Sequence, residues 1–388
     1  IDLMGVGLVF PLFSSLLFNE NSSLLSVDTS QEMRGLLFGL LVALAPLAHF
    51  FSAPLWGAYS DNQGRRNPLL KSIAVMFLGY VVTILSMHFS SIAGILFSRL
   101  VVGAAAGNIA ISQATIADVS TPENKAKHYG LLGMAQGTGF AIGPFLGGSL
   151  SGYGFVVPFI FAAVLTAING ILAFYLFKET HSMEGKKKIS LKMGLEQLSK
   201  AIRFKGLRTL LFSAFLHNFA WTFFFEFVPI HLIKNLSYGP KEVGIFFAIF
   251  AASYAISAGI LIRPFVSRFT PYMLCLGGNL FGGLAIFFMP SIGADMMWVY
   301  ICIISFFIAF VTPTLTTLVS NSVSNQIQGE VLGILSAVNA FALITSPLFS
   351  GAIIGNYPLL SMIVGGSLLV LTALILLVGF RNKLLRQS

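Results

Sequence analysis

Long apolar runs separated by short polar segments are the feature that most limits what this chain can fold into. Two of these runs, roughly 35–58 and 69–88, flank a charged segment, and each is long enough to cross a bilayer, which takes about 20 apolar residues in a helix. Of the 388 residues, 56% are hydrophobic and 10% are charged, whereas soluble domains carry about 25% charged residues. The pattern predicts a helical membrane protein and excludes a soluble globular protein.

Reading the apolar runs between polar breaks predicts an all-α polytopic membrane protein with twelve transmembrane helices in two six-helix bundles. The predicted spans lie near residues 1–18, 34–58, 69–88, 92–117, 127–151, 154–177, 207–233, 241–262, 271–290, 296–321, 329–354 and 357–380. The longest polar stretch separates two sets of six. We therefore predict an N-terminal bundle over 1–177, a cytoplasmic central loop over 178–206 and a C-terminal bundle over 207–388.

Lysine and arginine are distributed unevenly along this pattern. Nineteen of them fall in the loops after the even-numbered spans and in the C-terminal tail, and three, Arg34, Lys234 and Lys241, fall on the other side. Because basic loops stay in the cytoplasm, both termini are predicted to be cytoplasmic. The compact loops suit a bacterial inner membrane. The chain starts at Ile1 inside an apolar run, so we expect further residues before it.

The two halves share glycine, proline and arginine positions. A constant offset of 203 residues relates Arg65 to Arg268, Pro68 to Pro271, Gly79 to Gly282, Gly130 to Gly333, Pro144 to Pro347 and Gly148 to Gly351. Six matches at one offset, all at loop or kink positions, indicate two bundles of common ancestry. Transporters with two such parallel halves bind their substrate near the middle of the membrane, between the halves.

Three motifs resemble those of a known family. The segment 57–70, GAYSDNQGRRNPLL, resembles the signature loop between the second and third helices of the Major Facilitator Superfamily. Arg99 with Gly103 resembles the helix-4 arginine motif, and the segment 139–148, GFAIGPFLGG, resembles the helix-5 motif of antiporters. The resemblance covers the whole chain and implies the major facilitator fold.

Within this family the chain is similar to the tetracycline or drug/proton antiporter group. The similar segments are 2–11 in the first span, 117–119 at the end of the fourth and 328–333 at the start of the eleventh. The chain departs from the group at 78–80, Leu-Gly-Tyr, where the group has an acid, and it has no counterpart of the group's helix-8 histidine or helix-9 acid. The similarity implies export of an organic compound in exchange for protons.

Three ionisable residues inside the predicted spans are candidates for proton coupling, because charged groups are costly in a membrane and are commonly functional there. Asp2 is either a proton site or a hydrated group at the cytoplasmic interface. Glu226, among aromatic residues of the seventh span, is either a proton or substrate-cation site or an interfacial acid. Arg99 is predicted to lower the pKa of a neighbouring carboxylate, to bind an anionic substrate, or to hold helices together by hydrogen bonds to backbone carbonyls.

The resemblance also implies a cytoplasmic gate formed by residues at the ends of spans 2, 3, 4 and 11, namely Asp61, Gly64, Arg65, Arg66, Asp118 and Gly329. Asp61 would meet the start of span 11 near Gly329, where the helix dipole favours an anion. Arg65 or Arg66 would pair with Asp118, and these contacts would break as the halves move. The two arginines also serve as an orientation signal, with or without a gate.

The fifth span combines small residues at spacings near four with a proline, namely Gly139, Gly143, Pro144, Gly147 and Gly148. Small residues let helices approach closely, and proline removes a backbone donor. The span is therefore predicted either to pack against a helix of the other half and bend during transport, or to serve packing alone.

Polar side chains inside the spans are candidates to line a substrate cavity, namely His49, Asn108, Gln113, Gln136, His217, Asn218 and Asn339. Amides and imidazoles offer hydrogen bonds to a substrate. The same groups also bond to neighbouring helices, so a packing role remains open for each of them.

The sequence favours a proton-coupled antiporter that exports an organic small molecule or drug by alternating access. The alternative is a proton-coupled importer or facilitator of a nutrient, an amino acid or a metal-chelating small molecule. The sequence has no phosphate loop, metal-ligand spacing or catalytic triad pattern, so we expect no enzyme activity, cofactor or metal site. The expected partners are the substrate, protons and the lipid bilayer, without nucleic acid, and the expected state is a monomer.

Overall fold

The computed structural model describes residues 2–18, 24–26, 28–121, 124–180, 193–324 and 327–384, and among these residues no strand is formed. The helices of the first half are α1 (Asp2–Phe18), α2 (Gln31–Gln63), α3 (Arg66–His88), α4 (Ile92–Ala105), α5 (Asn108–Val119), α6 (Lys125–Ser151) and α7 (Val157–Leu176). Those that follow are α8 (Met193–Arg203), α9 (Arg208–Phe225), α10 (Val228–Leu236), α11 (Pro240–Ile256), α12 (Ile262–Val266), α13 (Pro271–Phe288), α14 (Ala294–Ala309), α15 (Val311–Asn321), α16 (Gln328–Ile354) and α17 (Leu360–Leu384).

Within the described ranges, ten helical segments are long and apolar enough to cross a membrane. Four of them join two helices across a short interruption: α4 with α5, α9 with α10, α11 with α12, and α14 with α15. Helices α1 and α6 occupy the positions of predicted spans 1 and 5 but are not among the ten. The prediction of an all-α polytopic membrane protein is confirmed, and the count of twelve spans stays a prediction.

The chain divides into two compact units. Unit 1 comprises Ile1–Ser30, Leu40–Gly194 and Pro240–Gly244, and unit 2 comprises Gln31–Gly39, Leu195–Gly239 and Ile245–Ser388. Unit 1 therefore includes the start of α11 from the second half of the sequence, and unit 2 includes the start of α2 from the first half. The bundle boundaries at 177 and 207 stay predictions.

Two of the interrupted helices break at equivalent places in the internal repeat. The break between α4 and α5 lies at Ala106–Gly107, and that between α14 and α15 lies at Phe310, which is 203 residues beyond Gly107. At the first break a β-carbon on Gly107 would lie 2.6 Å from Cγ of Trp56, and the Trp56 indole donates to the carbonyl of Ala104 at 2.7 Å. The interruption thus admits a large aromatic side chain against the backbone.

The polar segment 57–70 is mostly helical, which corrects the prediction of a loop between the spans 34–58 and 69–88. Helix α2 continues to Gln63 and α3 begins at Arg66, so Gly64 and Arg65 alone connect them. Gly64 has φ +82°, a left-handed conformation that L side chains adopt only with strain. A β-carbon there would also lie 2.5 Å from Oε2 of Glu179, so glycine permits both the reversal and the close approach.

A helix interrupts the predicted central loop. Helix α8 runs over Met193–Arg203, while residues 181–192, with the three consecutive lysines, lie outside the described residues. Leu198 and Ala201 pack against the hydrophobic core of unit 2. Lys200 forms an ion pair with Glu330 at the start of α16. The apolar spacing of i, i+3 is the sequence signal for this amphipathic helix.

Candidate functional site

Glu226 lies at the break between α9 and α10, at the C-terminal end of α9. Its side chain is buried, and its Oε2 has no hydrogen-bond partner among the described residues. The surrounding sequence is aromatic, and Trp221 stacks on Phe225 with ring centroids 4.9 Å apart. The role of Glu226, as a proton or substrate-cation site or as an interfacial acid, stays a prediction. A buried charge without a partner costs free energy that protonation removes.

Arg99 lies on α4 in unit 1 and is 3% exposed. Its Nε and Nη1 atoms are buried and have no hydrogen-bond partner in the described part of the chain, and its guanidinium carbon lies 5.9 Å from the ring centroid of Phe13 on α1. Arginine keeps its proton in proteins, so this site holds a fixed positive charge. Such a charge can attract an anionic group or carboxylate that enters the unit.

Asp2 belongs to α1, but its side chain lies outside what the structure describes. Its helix packs closely on α6: a β-carbon at Gly143 would lie 3.1 Å from the α-carbon of Gly7. The proposed roles of Asp2, as proton site or hydrated interfacial acid, therefore both stay predictions.

Four polar side chains of unit 2 form two hydrogen-bonded pairs. His217 Nδ1 bonds to Oδ1 of Asn279 at 2.8 Å, and the histidine is 2% exposed. Asn218 donates to Oδ1 of Asn339 at 3.1 Å and to the carbonyl of Ala214. The first pair links α9 to α13 and the second links α9 to α16. The pairing of two candidate cavity residues, Asn218 and Asn339, places amide groups from two helices together.

The candidate cavity residues of unit 1 are spread over three spans. His49 on α2 and Gln136 on α6 are half-buried, Asn108 at the start of α5 is buried, and Gln113 on α5 is exposed. Asn108 immediately follows the break between α4 and α5, where interrupted helices commonly place polar groups at binding sites. Their role as cavity-lining residues stays a prediction.

The candidate gate residues of unit 1 form a charged cluster around Arg65. Its Nε donates to Oδ2 of Asp118 at 2.8 Å, and its Nη1 donates to Asp61, one helical turn earlier, and to the hydroxyl of Ser60. The Arg65 side chain is 5% exposed and that of Asp118 is 20% exposed. Burial opposes its charge, but the hydrogen bonds to Asp118 and Asp61 outweigh this and raise the pKa of Arg65 above its ordinary value.

Arg66 makes a different set of contacts. Its guanidinium donates to the carbonyls of Phe177 and Phe174 and lies 5.2 Å from the Phe174 ring centroid. Arg65, and not Arg66, is therefore the partner of Asp118. At Gly329, at the start of α16, an added β-carbon would have no neighbouring atom within 4 Å. The contact of Gly329 with Asp61 stays a prediction.

Glu179 is part of this cluster, and the sequence analysis missed it. Its carboxylate accepts from the backbone N–H of Arg65 at 2.7 Å and from that of Arg66 at 3.0 Å, at the N-terminus of α3. An anion at this position is stabilised by the unpaired N–H groups and by the helix dipole. The only sequence signal was an acid in the polar stretch that follows span 6.

The glycines of the helix-5 motif face two different helices. Gly143 and Gly147 pack against α1, where a β-carbon on Gly147 would lie 3.2 Å from the α-carbon of Leu8. A β-carbon on Gly148 would lie 2.8 Å from the α-carbon of Gly244 at the start of α11. Pro144 is buried inside α6, and Gly139 is half-buried.

Comparison with known proteins identifies the family. The family model of the Major Facilitator Superfamily matches residues 1–347. The chain belongs to the Major Facilitator Superfamily. The resemblance drawn from the signature loop, the helix-4 arginine and the helix-5 glycines is thereby confirmed.

Relatives of this transporter include tetracycline resistance proteins. The class C protein of Escherichia coli is 28% identical over 364 residues, covering 91% of this chain and 87% of that protein. The class G protein of Vibrio anguillarum is 30% identical over 272 residues, covering 69% of this chain and 66% of that protein. The crystal structure of the human organic anion transporter MFSD10 matches with a TM-score of 0.70 at 23% identity, covering 97% of this chain and 96% of that one, and shows the shared fold.

Proposed function

We propose that this superfamily member is a proton-coupled antiporter that exports an organic small molecule or drug by alternating access. The observation that carries the proposal is Glu226, a buried acid with an unbonded carboxylate oxygen at a helix break. Protonation removes the cost of the buried charge, so uptake and release of a proton change the stability of this site. A conformational change that exposes Glu226 to one side of the membrane and then the other would move protons.

The relatives named for tetracycline resistance support an organic compound as the exported substrate. For the substrate site we propose the amide pair of Asn218 and Asn339, with His217 held beside it by Asn279. In unit 1 we propose Arg99 as a fixed charge that draws acidic substrate groups or holds a carboxylate. Asp2 is proposed as a second proton site.

We propose that the Arg65 cluster works as a gate on the cytoplasmic side. The Arg65 side chain bonds to Asp61 and Ser60 at the end of α2 and to Asp118 at the end of α5. These bonds hold the two helix ends together. Loss of these bonds leaves a buried arginine without compensation, so an open and a closed arrangement would each need a defined set of partners. Both termini are proposed to be cytoplasmic, in a bacterial inner membrane, and the working unit is proposed to be a monomer without catalytic activity.

The test is flux across vesicles that contain the purified full chain and enclose tetracycline as the probe, with measured internal and external pH. Antiport predicts that tetracycline moves against the direction of the proton gradient and that protons move with the gradient in the same experiment. Movement of tetracycline in the same direction as the protons would instead support the importer. If Asp2→Asn and Glu226→Gln both leave gradient-driven flux unchanged, proton coupling through these acids is wrong.

A further inference from the structure

Unit 2 contains a cavity of about 620 Å³ between α8, α9 and α16. Its walls include Leu198, Ala201 and Ile202 from α8, Phe212 and Phe215 from α9, and Phe341 from α16. Arg208, at the first position of α9, is the one charged residue among the described residues that line it. The described lining is therefore apolar except at the guanidinium of Arg208.

Helix α8 has the composition of a helix at a membrane surface. One face, with Leu198 and Ala201, packs on unit 2, whereas Leu195 is 51% and Ile202 is 71% exposed. Charged residues occupy other positions of the helix, among them Lys200 and Arg203. An amphipathic helix of this kind lies at the boundary between headgroups and acyl chains. The cavity beneath it therefore opens at the depth of lipid headgroups.

Only one hydrogen bond joins the Arg208 side chain to the described residues. Its Nε donates to the carbonyl of Ile202 at 2.8 Å, which fixes the guanidinium beside α8. Arg208 is exposed and makes no ion pair with the described carboxylates. Guanidinium groups bind phosphate through paired N–H donors. Arg208 also lies on the predicted cytoplasmic side, where anionic lipids are concentrated.

We propose that this cavity binds one anionic phospholipid of the cytoplasmic leaflet, with an acyl chain along the apolar walls and the phosphate at Arg208. An acyl chain suits these walls because it has no hydrogen-bonding groups, whereas a drug with several polar groups would lose its hydrogen bonds to water there. The lipid would join α8 to the start of α9 and to the middle of α16. None of the lining residues is among the proposed proton and substrate residues.

The test is native mass spectrometry of the full chain released from bilayers of equal phosphatidylglycerol and phosphatidylcholine. One retained phosphatidylglycerol is expected in preference to phosphatidylcholine. Arg208→Gln should lower its retention about five-fold, the effect of one basic residue at a lipid surface. Arg208→Lys should retain most of it, and Arg263→Gln, an exposed arginine on α12 outside the cavity, should not change it.

A second pair of variants tests the apolar part of the cavity. Ala201→Trp fills the space beside α9 and should abolish retention, whereas Leu195→Trp, on the exposed face of α8, should leave it unchanged. Thermal unfolding of each variant in detergent establishes that it is folded. Equal retention of the two lipids, or equal losses for Arg208→Gln and Arg263→Gln, would overturn the proposal. So would equal losses for the two tryptophan variants.

Discussion

Glu226 and Arg99 are both buried charged residues, but they differ in what they can do. Each has side-chain atoms that bond to none of the residues that the structure describes, at the end of α9 in unit 2 for Glu226 and on α4 in unit 1 for Arg99. A carboxylate can lose its charge by taking up a proton, whereas a guanidinium keeps its proton and must be compensated by an anion. On this ground the exchangeable proton is proposed for Glu226 and the fixed charge for Arg99.

The first prediction concerns Glu226. Glu226→Gln keeps the shape of the side chain and removes its proton exchange, so pH-driven substrate flux should fall to the rate measured without a gradient. Substrate exchange at equal pH should persist, because it needs no net proton movement. Glu242→Gln, an exposed acid in the first turn of α11, is the matched control and should retain pH-driven flux. Retained pH-driven flux in Glu226→Gln would assign coupling to another residue.

The second prediction concerns Glu179, whose carboxylate caps α3. Glu179→Ala removes the acceptor of two backbone N–H groups and should lower stability by about 1–2 kcal/mol. Glu330→Ala breaks an ion pair with Lys200 in which both side chains are about half exposed, and this should cost about 0–1 kcal/mol. Thermal unfolding in the same detergent compares the two, and a larger loss for Glu330→Ala would contradict the capping argument.

Among the elements, the connection between α2 and α3 depends on one backbone conformation. Gly64→Ala places a β-carbon at φ +82° and 2.5 Å from Oε2 of Glu179, so it should cost more than about 1 kcal/mol. Gly57→Ala, inside α2 with no heavy atom within 4 Å of the added carbon, should be neutral or stabilising. The readout is thermal unfolding, and similar midpoints for the two variants would show that Gly64 is not under this constraint.

The sequence predicted best the features that depend on a whole segment, such as the membrane spans. It predicted less well the features that depend on a few side chains, such as helix breaks and caps. Apolar length alone located the ten spans found among the described residues, because every crossing must satisfy the same thickness. The break at Gly107 depends on the side chain of Trp56, about fifty residues earlier, and the cap on α3 depends on Glu179, more than a hundred residues later. Such tertiary contacts leave no local pattern. Helix α8 had a local pattern of apolar residues, but it lies within the longest polar stretch of the sequence, which was interpreted as a loop.

At the scale of the whole molecule, the internal repeat extends to helix crossings. In unit 1, Gly148 near the end of α6 packs on Gly244 at the start of α11, and in unit 2, Gly351 near the end of α16 packs on Gly39 at the start of α2. The offset of 203 that relates Gly148 to Gly351 also brings Gly39 to within two positions of Gly244. The two crossings are thus repeat-related, and both lie on the predicted outer side.

Repeat-related crossings should respond alike to the same change. A β-carbon on Gly351 would lie 2.7 Å from the carbonyl oxygen of Gly35, and one on Gly148 would lie 2.8 Å from Gly244. Gly148→Ala and Gly351→Ala should therefore each slow flux, by about tenfold for every 1.4 kcal/mol that the separation of the helices costs. Gly137→Ala, on α6 with open space around it, should have no effect. If one crossing tolerates alanine while the other does not, the two crossings do not contribute equally to transport. Their relation would then reflect common ancestry without a shared role.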